Sequence, residues 1–440
     1  MNPLIPKNDG PLQLLPHAIK PMHIRHAEDS AFYWMQRDGS TGSPLLRFER
    51  LAHFDQLLNA HLDGLREAGE SGWELALKNL TRWRTNGESF TAYVLMLEAN
   101  NAEKLNTLWR LVKTCPDTTY SGLISALGWV APSVALPWLE YWLGQTEFAG
   151  LQMIALRGYA TRRIAPTTPL DLFFRSPHAF VRAAACMLAG RVRMYTYSAY
   201  LHALRQDADA DVRAAAALAL HLQNEGAAVA TDMWQALQHL NLTANNAKGL
   251  ARQQGFERCI SYARHFGHAL PVNHFDWPQV AQMLPPRQAI TLFAHHGDPV
   301  TIPLIASFLA NPEFARLAGW ALSMITGIDL DAQDLTQPLP DENEDERTTP
   351  LSDPDVGLPW PNPQAISAWW NTNRTRYFAG NRLLLGQPIN DKAHSLDVLD
   401  YGTQAERYAA ALNLALSDRQ LPFIETRAAA EEQQWVIDQI

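Results

Sequence analysis

The feature that most constrains this chain is a repeat. The stretches SGLISALGW, LQMIALRGY, VRAAACMLAGR and VRAAAALALH superimpose with Gly128, Gly158, Gly190 and His221 in register, giving steps of 30, 32 and 31 residues. A fixed step of this size holds one helix–turn–helix unit per repeat. One such unit cannot bury its own apolar face, so neighbours must stack, and stacked helix pairs wind into a right-handed superhelix. HEAT and armadillo units run to about 40 to 47 residues, so these read as short HEAT-like units. A fifth copy, NPEFARLAGWALSMITG over 311–327, follows a helix suggested by VTIPLIASFLA, while 222–300 stay helical in pattern but lose the step.

Alternating strand patterns are scarce, and apolar spacings of three and four recur from 27 to 325, so the expected class is all-α: a HEAT-like α-solenoid of stacked helix pairs with a small C-terminal module. From Leu45 to Leu65, one helical face carries Phe48, Leu51, Phe54, Leu58, Leu62 and Leu65, with His53, Asp55, Asn59 and Asp63 off it. Further amphipathic helices fit Trp73–Trp83, Phe90–Leu97 and Leu105–Val112. Residues 118–139 carry no charge, yet Pro132 and Pro137 argue for two buried helices meeting at a turn rather than a membrane span. Residues 329–357 hold ten acids against Arg347 alone, an exposed connection rich in proline. The expected division is an N-terminal helical region over 1–115, HEAT-like repeats over 116–328, the acidic connection over 329–362, and a C-terminal helical module over 363–440. That module has a helix near 363–374 and a short hairpin before a last helix at 403–416.

The sequence lacks the GxSxG of a serine hydrolase, the GxxxxGK of a phosphate loop and the HExxH of a zincin. A His-Glu dipeptide, through which some HEAT-like enzymes bind iron, does not occur either. His265 and His268 share a helical face with His274 following, but no carboxylate stands at ligand spacing, so they read as polar surface histidines. The run His295-His296-Gly297-Asp298 reads as a helix stop and restart. The expected catalytic, cofactor and metal residues are therefore none. Cys115, Cys186 and Cys259 are widely spaced and form no CxxC pair, which fits reduced, mostly buried thiols in a cytoplasmic protein, and the N-terminus shows no export signal. Among the 14 tryptophans, Trp73, Trp83, Trp109 and Trp129 fall on apolar faces and read as packing; the Trp369–Trp370 pair and Trp360 are harder to bury.

The sharpest electrostatic feature spans 157–205. Arg157, Arg162, Arg163, Arg175, Arg182, Arg191, Arg193 and Arg205 face only Asp171, with Tyr159, Phe173, Phe174, Tyr195, Tyr197 and Tyr200 interleaved. This mix suits helix capping and pairing between repeats, a protein-binding surface, or a phosphate-gripping surface. A net charge of −9 over the whole chain argues against a nucleic-acid partner. Arg182, Arg213 and Arg316 recur at equivalent repeat positions and read as frame, with Asp211 complementing a helix dipole and available to an arginine of a neighbouring unit. Candidates for touching a partner are then Arg162, Arg163, Arg175, Arg191, Arg193, Tyr195, Tyr197 and Arg205, or the acidic Asp341, Glu342, Glu344, Asp345 and Glu346.

Taken together, HAEDSAFYWMQRD, HLDGLREAGESGW, AGWALSMITGIDL, LPWPNPQAISAWW and FAGNRLLLGQP resemble, in order over about 26–425, a proteobacterial family of HEAT-repeat-like proteins without assigned activity. The resemblance implies cytoplasmic residence, an all-helical repeat fold and association with type VI secretion effector clusters. It implies an immunity protein that binds and neutralises a secreted toxin, or less directly an effector adaptor. A HEAT-like DNA glycosylase or nucleic-acid binder is a third reading. The resemblance supplies no catalytic residue, no cofactor and no membrane partner.

Overall fold

The computed structural model describes residues 16–272, 276–338 and 354–440. Among them the protein is almost wholly helical, with a single two-residue hairpin. Two compact units form: one from the chain up to Arg37 with His53–Val130, the other from Asp38–Ala52 with Ala131–Ile440. No helix among the described residues is long and apolar enough to cross a membrane.

The first unit contains most of α1 (Pro16–Ser40) and α2 (Phe48–Glu67), then α3 (Glu70–Trp83), α4 (Asn86–Ala99), α5 (Ala102–Val112) and α6 (Pro116–Trp129). Helix α4 is its axis. Every residue from Ser89 to Leu97 is buried, and α3, α5 and α6 pack around it. Two buried hydroxyls on α4 are paired, Ser89 donating to the Thr119 carbonyl at 2.7 Å and Thr91 meeting Ser30 at 3.0 Å, whereas the buried Tyr93 hydroxyl has no partner among the described residues. On α2, Leu51, Leu58, Leu62 and Leu65 are fully buried as the periodicity predicts. Asp55 is the exception to that pattern: it is buried because it pairs with buried Arg37 of α1. Trp83 corrects another expectation, being 53% exposed with the Arg82 guanidinium over its ring.

Helices α4 and α6 touch backbone to backbone. A Cβ at Gly122 would lie 2.0 Å from the Asn86 carbonyl oxygen and 2.8 Å from the Phe90 nitrogen. Gly122→Val therefore has to push two helices apart, and we expect a stability loss of roughly 3 kcal/mol or more in chemical denaturation. A loss below about 1 kcal/mol, the range of ordinary substitutions, would mean the helices are not seated this closely.

The chain then turns at Val130–Ala131 into α7 (Pro132–Leu143) of the second unit, with Pro132 in the first turn where its missing N–H costs nothing. The uncharged stretch is thus two helices, although Pro137 sits inside α7 without ending it. The succession continues through α8 (Ala149–Arg162), α9 (Asp171–Phe174), α10 (Ala179–Arg191), α11 (Ser198–Leu204) and α12 (Ala210–Leu220). Helix α10 packs on α8, α12 on α10, and the shorter α9 and α11 each lie on the long helix that follows. Small residues set the spacing, since a Cβ at Gly190 would stand 2.5 Å from the Cα of Ala219. The arginines that recur with the repeat sit inside this frame: Arg182 grips Asp207 through two 2.8 Å bonds, and Arg213 donates to the carbonyls of Asp207 and Ala208. Arg316 lies over the Trp360 ring, and Asp211 pairs with Arg258 at 2.9 Å.

After α12 the backbone breaks at Asn224, whose φ of 68° is left-handed, and this is where the repeat step is lost. There follow α13 (Gly226–Asn246), α14 (Gly249–Ala269), α15 (Trp277–Met283), α16 (Pro286–His296), α17 (Ile302–Ser307) and α18 (Ala315–Thr326). The C-terminal part comprises α19 (Pro363–Asn373), the hairpin β1 (Leu383–Leu384) and β2 (Gln387–Pro388), α20 (Lys392–Tyr401), α21 (Gln404–Ser417) and α22 (Ala430–Ile437). A further helix thus follows the one read as last. The hairpin closes two helix ends. Gly297 and Gly327 end α16 and α18 in the left-handed conformation, and the Leu385 and Gly386 N–H groups donate to the otherwise orphaned Met324 and Ile325 carbonyls.

Candidate functional site

The sequence places its partner-binding candidates on one arginine-rich window; the structure turns most of them inward. Arg163 donates to Glu425 at 2.9 Å, and Arg191 stands 3.5 Å from the same carboxylate oxygen. Arg193 is buried and donates to the carbonyls of Asp418 and Leu421, and the guanidiniums of Arg193 and Arg419 both lie over the Tyr195 ring. Arg162 is 6% exposed. Arg175 donates to the Tyr200 hydroxyl at 3.0 Å, Tyr197 accepts from the Leu170 N–H, and Arg205 grips Asp232. The acidic candidates Asp341, Glu342, Glu344, Asp345 and Glu346 lie outside the described residues.

The inward turn builds a polar cluster where the C-terminal ends of α8, α10, α14 and α16 meet α21 and the segment after it. Arg163 is left-handed (φ 57°) just past the end of α8, which swings its side chain toward Glu425; Arg193 takes the same conformation (φ 57°) after α10. Arg163, Arg191 and Arg427 stand around Glu425, with Asp38 holding Arg427, and the Arg264 guanidinium lies over the Tyr408 ring. Burial pushes Arg157 down to about 10, helped by the fields of Arg191, Arg258 and Arg427, and pushes Arg163 to about 10 against the pull of Glu425. Both remain charged near neutrality. Burial works to raise the Glu425 carboxyl, but Arg163, Arg191 and Arg427 outweigh it and hold the group below its usual range.

Behind the arginines lies a layer of histidines. His265 is 7% exposed and shares a 2.6 Å hydrogen bond between its Nε2 and the Tyr408 hydroxyl. His221 and Tyr408 meet the His265 ring edge-on, and His295 stands beside Tyr408 and His268. Arg382 laces the layer together, donating to the carbonyls of His296 and His268 at 2.6 and 3.0 Å. Burial drives His265, His268 and His295 well below the ordinary imidazole value and sets His221 and His296 at about 3, so all five are neutral. The reading of His265 and His268 as surface residues is thus overturned, because their helical face also carries Tyr262 and Phe266 and turns into the core. The helix stop at Gly297 and restart at Pro299, with Asp298 capping Val300, stand as read; His274 lies outside the described residues.

What this arrangement offers chemically is positive charge beside a layer of neutral imidazoles. The histidines form no group that could hold a metal ion among the described residues. A concavity of about 470 Å³ is lined by Leu45, Arg47, Trp320, Asp397, Tyr401 and Glu406; in it Arg47 donates to the Tyr401 carbonyl and Glu406 closes the capping box of α21. Sequence reasoning missed Tyr408 and Glu425, which come from a C-terminal segment more than 200 residues from the window and carry no motif. Comparison with protein-family models, with curated proteins and with solved structures gave no match.

Proposed function

We propose that the chain is a non-enzymatic, cytoplasmic protein-binding α-solenoid that acts as an immunity protein, binding and neutralising a toxin of a type VI secretion cluster. The observation that carries this reading is a row of exposed apolar side chains at equivalent repeat positions. Tyr141 is 57% and Leu172 72% exposed, 31 residues apart, while Phe148 and Phe180, 32 apart, are 50% and 48% exposed. Large apolar groups repeated on adjacent units and left in water are the signature of a surface made for another protein. The packing of α12 on α10 and α10 on α8 supports a continuous stack beneath that row. A nucleic-acid role is weakened, because the arginines it would use as a phosphate track are engaged with Glu425, Asp232 and backbone carbonyls of the chain itself.

Co-expression with the product of the adjacent gene tests it. Growth rescue and a stable complex are expected, and Tyr141→Asp with Leu172→Asp should weaken the complex at least about 100-fold, as loss of interface anchors does. Complex formation untouched by that pair but abolished by neutralising Asp341, Glu342, Glu344, Asp345 and Glu346 would move the interface to the acidic segment. Continued killing without co-purification would overturn the reading. The adaptor alternative separates on deletion: loss of an adaptor stops delivery and leaves the producer healthy, whereas loss of an immunity protein poisons it.

A further inference from the structure

The concavity of about 470 Å³ opens on the second unit where several stretches of chain converge: the end of α18 with the turn after it, Leu358 and Pro359, the hairpin at Leu385, the C-terminal half of α20, and Leu45 and Arg47 beside the start of α21. Its walls are pinned by backbone bonds. The Leu385 N–H donates to the Met324 carbonyl at 2.7 Å, and those of Gln404 and Ala405 donate to the carbonyls of Leu46 and Ser43 at 2.8 and 3.0 Å. A space framed this way is a built feature of the fold, and its volume falls in the range of small-molecule sites, about 300–1,000 Å³. The lining divides by chemistry. Leu330, Leu358 and Val398 are buried beneath the space, and Trp320 adds ring carbons, its indole nitrogen being buried. At the mouth Tyr401 is 68% exposed. The charges are unequal, because Arg47 alone stands against Asp329, Asp397 and Glu406. The Arg47 guanidinium is turned to the Tyr401 carbonyl, one Glu406 oxygen accepts the Thr403 N–H, and one Asp329 oxygen accepts those of Asp331 and Ala332. The Asp397 carboxylate is exposed and has no hydrogen-bond or ion-pair partner among the described residues.

We propose that this concavity binds a small organic ammonium ion, its apolar body on Trp320, Leu330 and Leu358 and its cationic head at the Asp397 and Asp329 carboxylates beside the Tyr401 ring. An ammonium group gains a charge-assisted hydrogen bond from a free carboxylate and an electrostatic attraction from an aromatic face. The apolar floor selects for the organic body, since a bare cation leaves that surface in water. An anionic ligand meets three like charges and a single guanidinium already engaged with a carbonyl. A metal ion finds no group of three ligands among the described residues. The site shares no residue with the exposed apolar row and does not depend on the toxin-binding reading.

The test is a calorimetric and thermal-shift titration of the full chain with phenethylammonium chloride, run beside phenylethanol, phenylpropionate, phenylalanine and ammonium chloride at matched ionic strength. Saturable binding of phenethylammonium with a raised unfolding temperature is expected. Phenylethanol, with the same body and no charge, should bind at least about tenfold more weakly, and phenylpropionate and ammonium not measurably. Phenylalanine, whose carboxylate has to face the same acids, should bind more weakly than the amine. Asp397→Asn removes charge at an exposed position with no partner to lose, so the variant should fold as the parent does and weaken phenethylammonium by about tenfold. Tyr401→Leu should weaken it roughly threefold, while Tyr401→Phe, which keeps the ring and the carbonyl that Arg47 holds, leaves it unchanged. Glu74→Gln, at an exposed carboxylate on α3, should have no effect. Equal or tighter binding of the alcohol or of phenylalanine, an unaltered affinity in Asp397→Asn, or no saturable binding of phenethylammonium overturns the proposal.

Discussion

Acidification should unfold the second unit steeply below about pH 6. His221, His265, His268, His295 and His296 are between 0% and 7% exposed and are held neutral by burial, two of them at about 3. In the unfolded chain each returns to the ordinary value near 6.5 and takes up a proton that the folded state refuses. The folded values are depressed, so stability is intact above about pH 6.5 and falls as the pH drops through the window from 6.5 toward 3. Each histidine costs about 1.4 kcal/mol per pH unit in that window, and five together about 7 kcal/mol, against a typical total of about 5–15 kcal/mol. Urea unfolding at pH 7, 6, 5.5 and 5 should therefore show an uptake of several protons and a collapse of the midpoint within two units. His295→Leu should reduce the uptake by one proton and cost little at pH 7, because neither ring nitrogen has a partner to lose. A midpoint flat between pH 7 and 5 would place these histidines in contact with water.

The second large effect is expected at Glu425. Its side chain is 10% exposed and is the only carboxylate that Arg163 and Arg191 meet among the ion pairs of the described residues. Glu425→Leu leaves their charges in the interior, with Arg427 nearby, and removal of one partner from a buried pair costs about 3–5 kcal/mol. The same substitution frees the segment on which Arg193 holds the Asp418 and Leu421 carbonyls. The exposed Arg66–Asp63 pair, by contrast, should cost less than about 1 kcal/mol when broken. Comparable losses at Glu425 and Asp63 would refute the distinction between interior and surface charge.

The repeat itself was legible because it is local: the register of Gly158, Gly190 and His221 places α8, α10 and α12, and the roles of Arg182, Arg213 and Asp211 follow from their neighbours within one step or the next. The stop at Gly297 was legible for the same reason, since a left-handed glycine after a helix is a feature of a few residues. The polar cluster was not. Its arginines are visible as a cluster, but whether a guanidinium faces water or a carboxylate depends on Glu425 and Tyr408, and nothing near those residues marks them. Two left-handed arginines, Arg163 and Arg193, decide the direction of the side chains, and a non-glycine residue in that conformation leaves no trace in sequence. The histidines misled for a related reason: His265 and His268 lack ligand neighbours, which fits exposure, yet the apolar spacing of Tyr262 and Phe266 on the same face pointed inward and was the better guide.

Arg163, Arg191 and Arg193 of the arginine window turn inward and clamp the C-terminal segment. A double-mutant cycle of Arg163→Met and Glu425→Leu measures this most directly by chemical denaturation. The two losses are expected not to add, with a coupling of about 2–3 kcal/mol that is insensitive to salt. Additive losses within about 0.5 kcal/mol, or a coupling abolished by 1 M salt, would show the pair to be a solvated surface contact and contradict it.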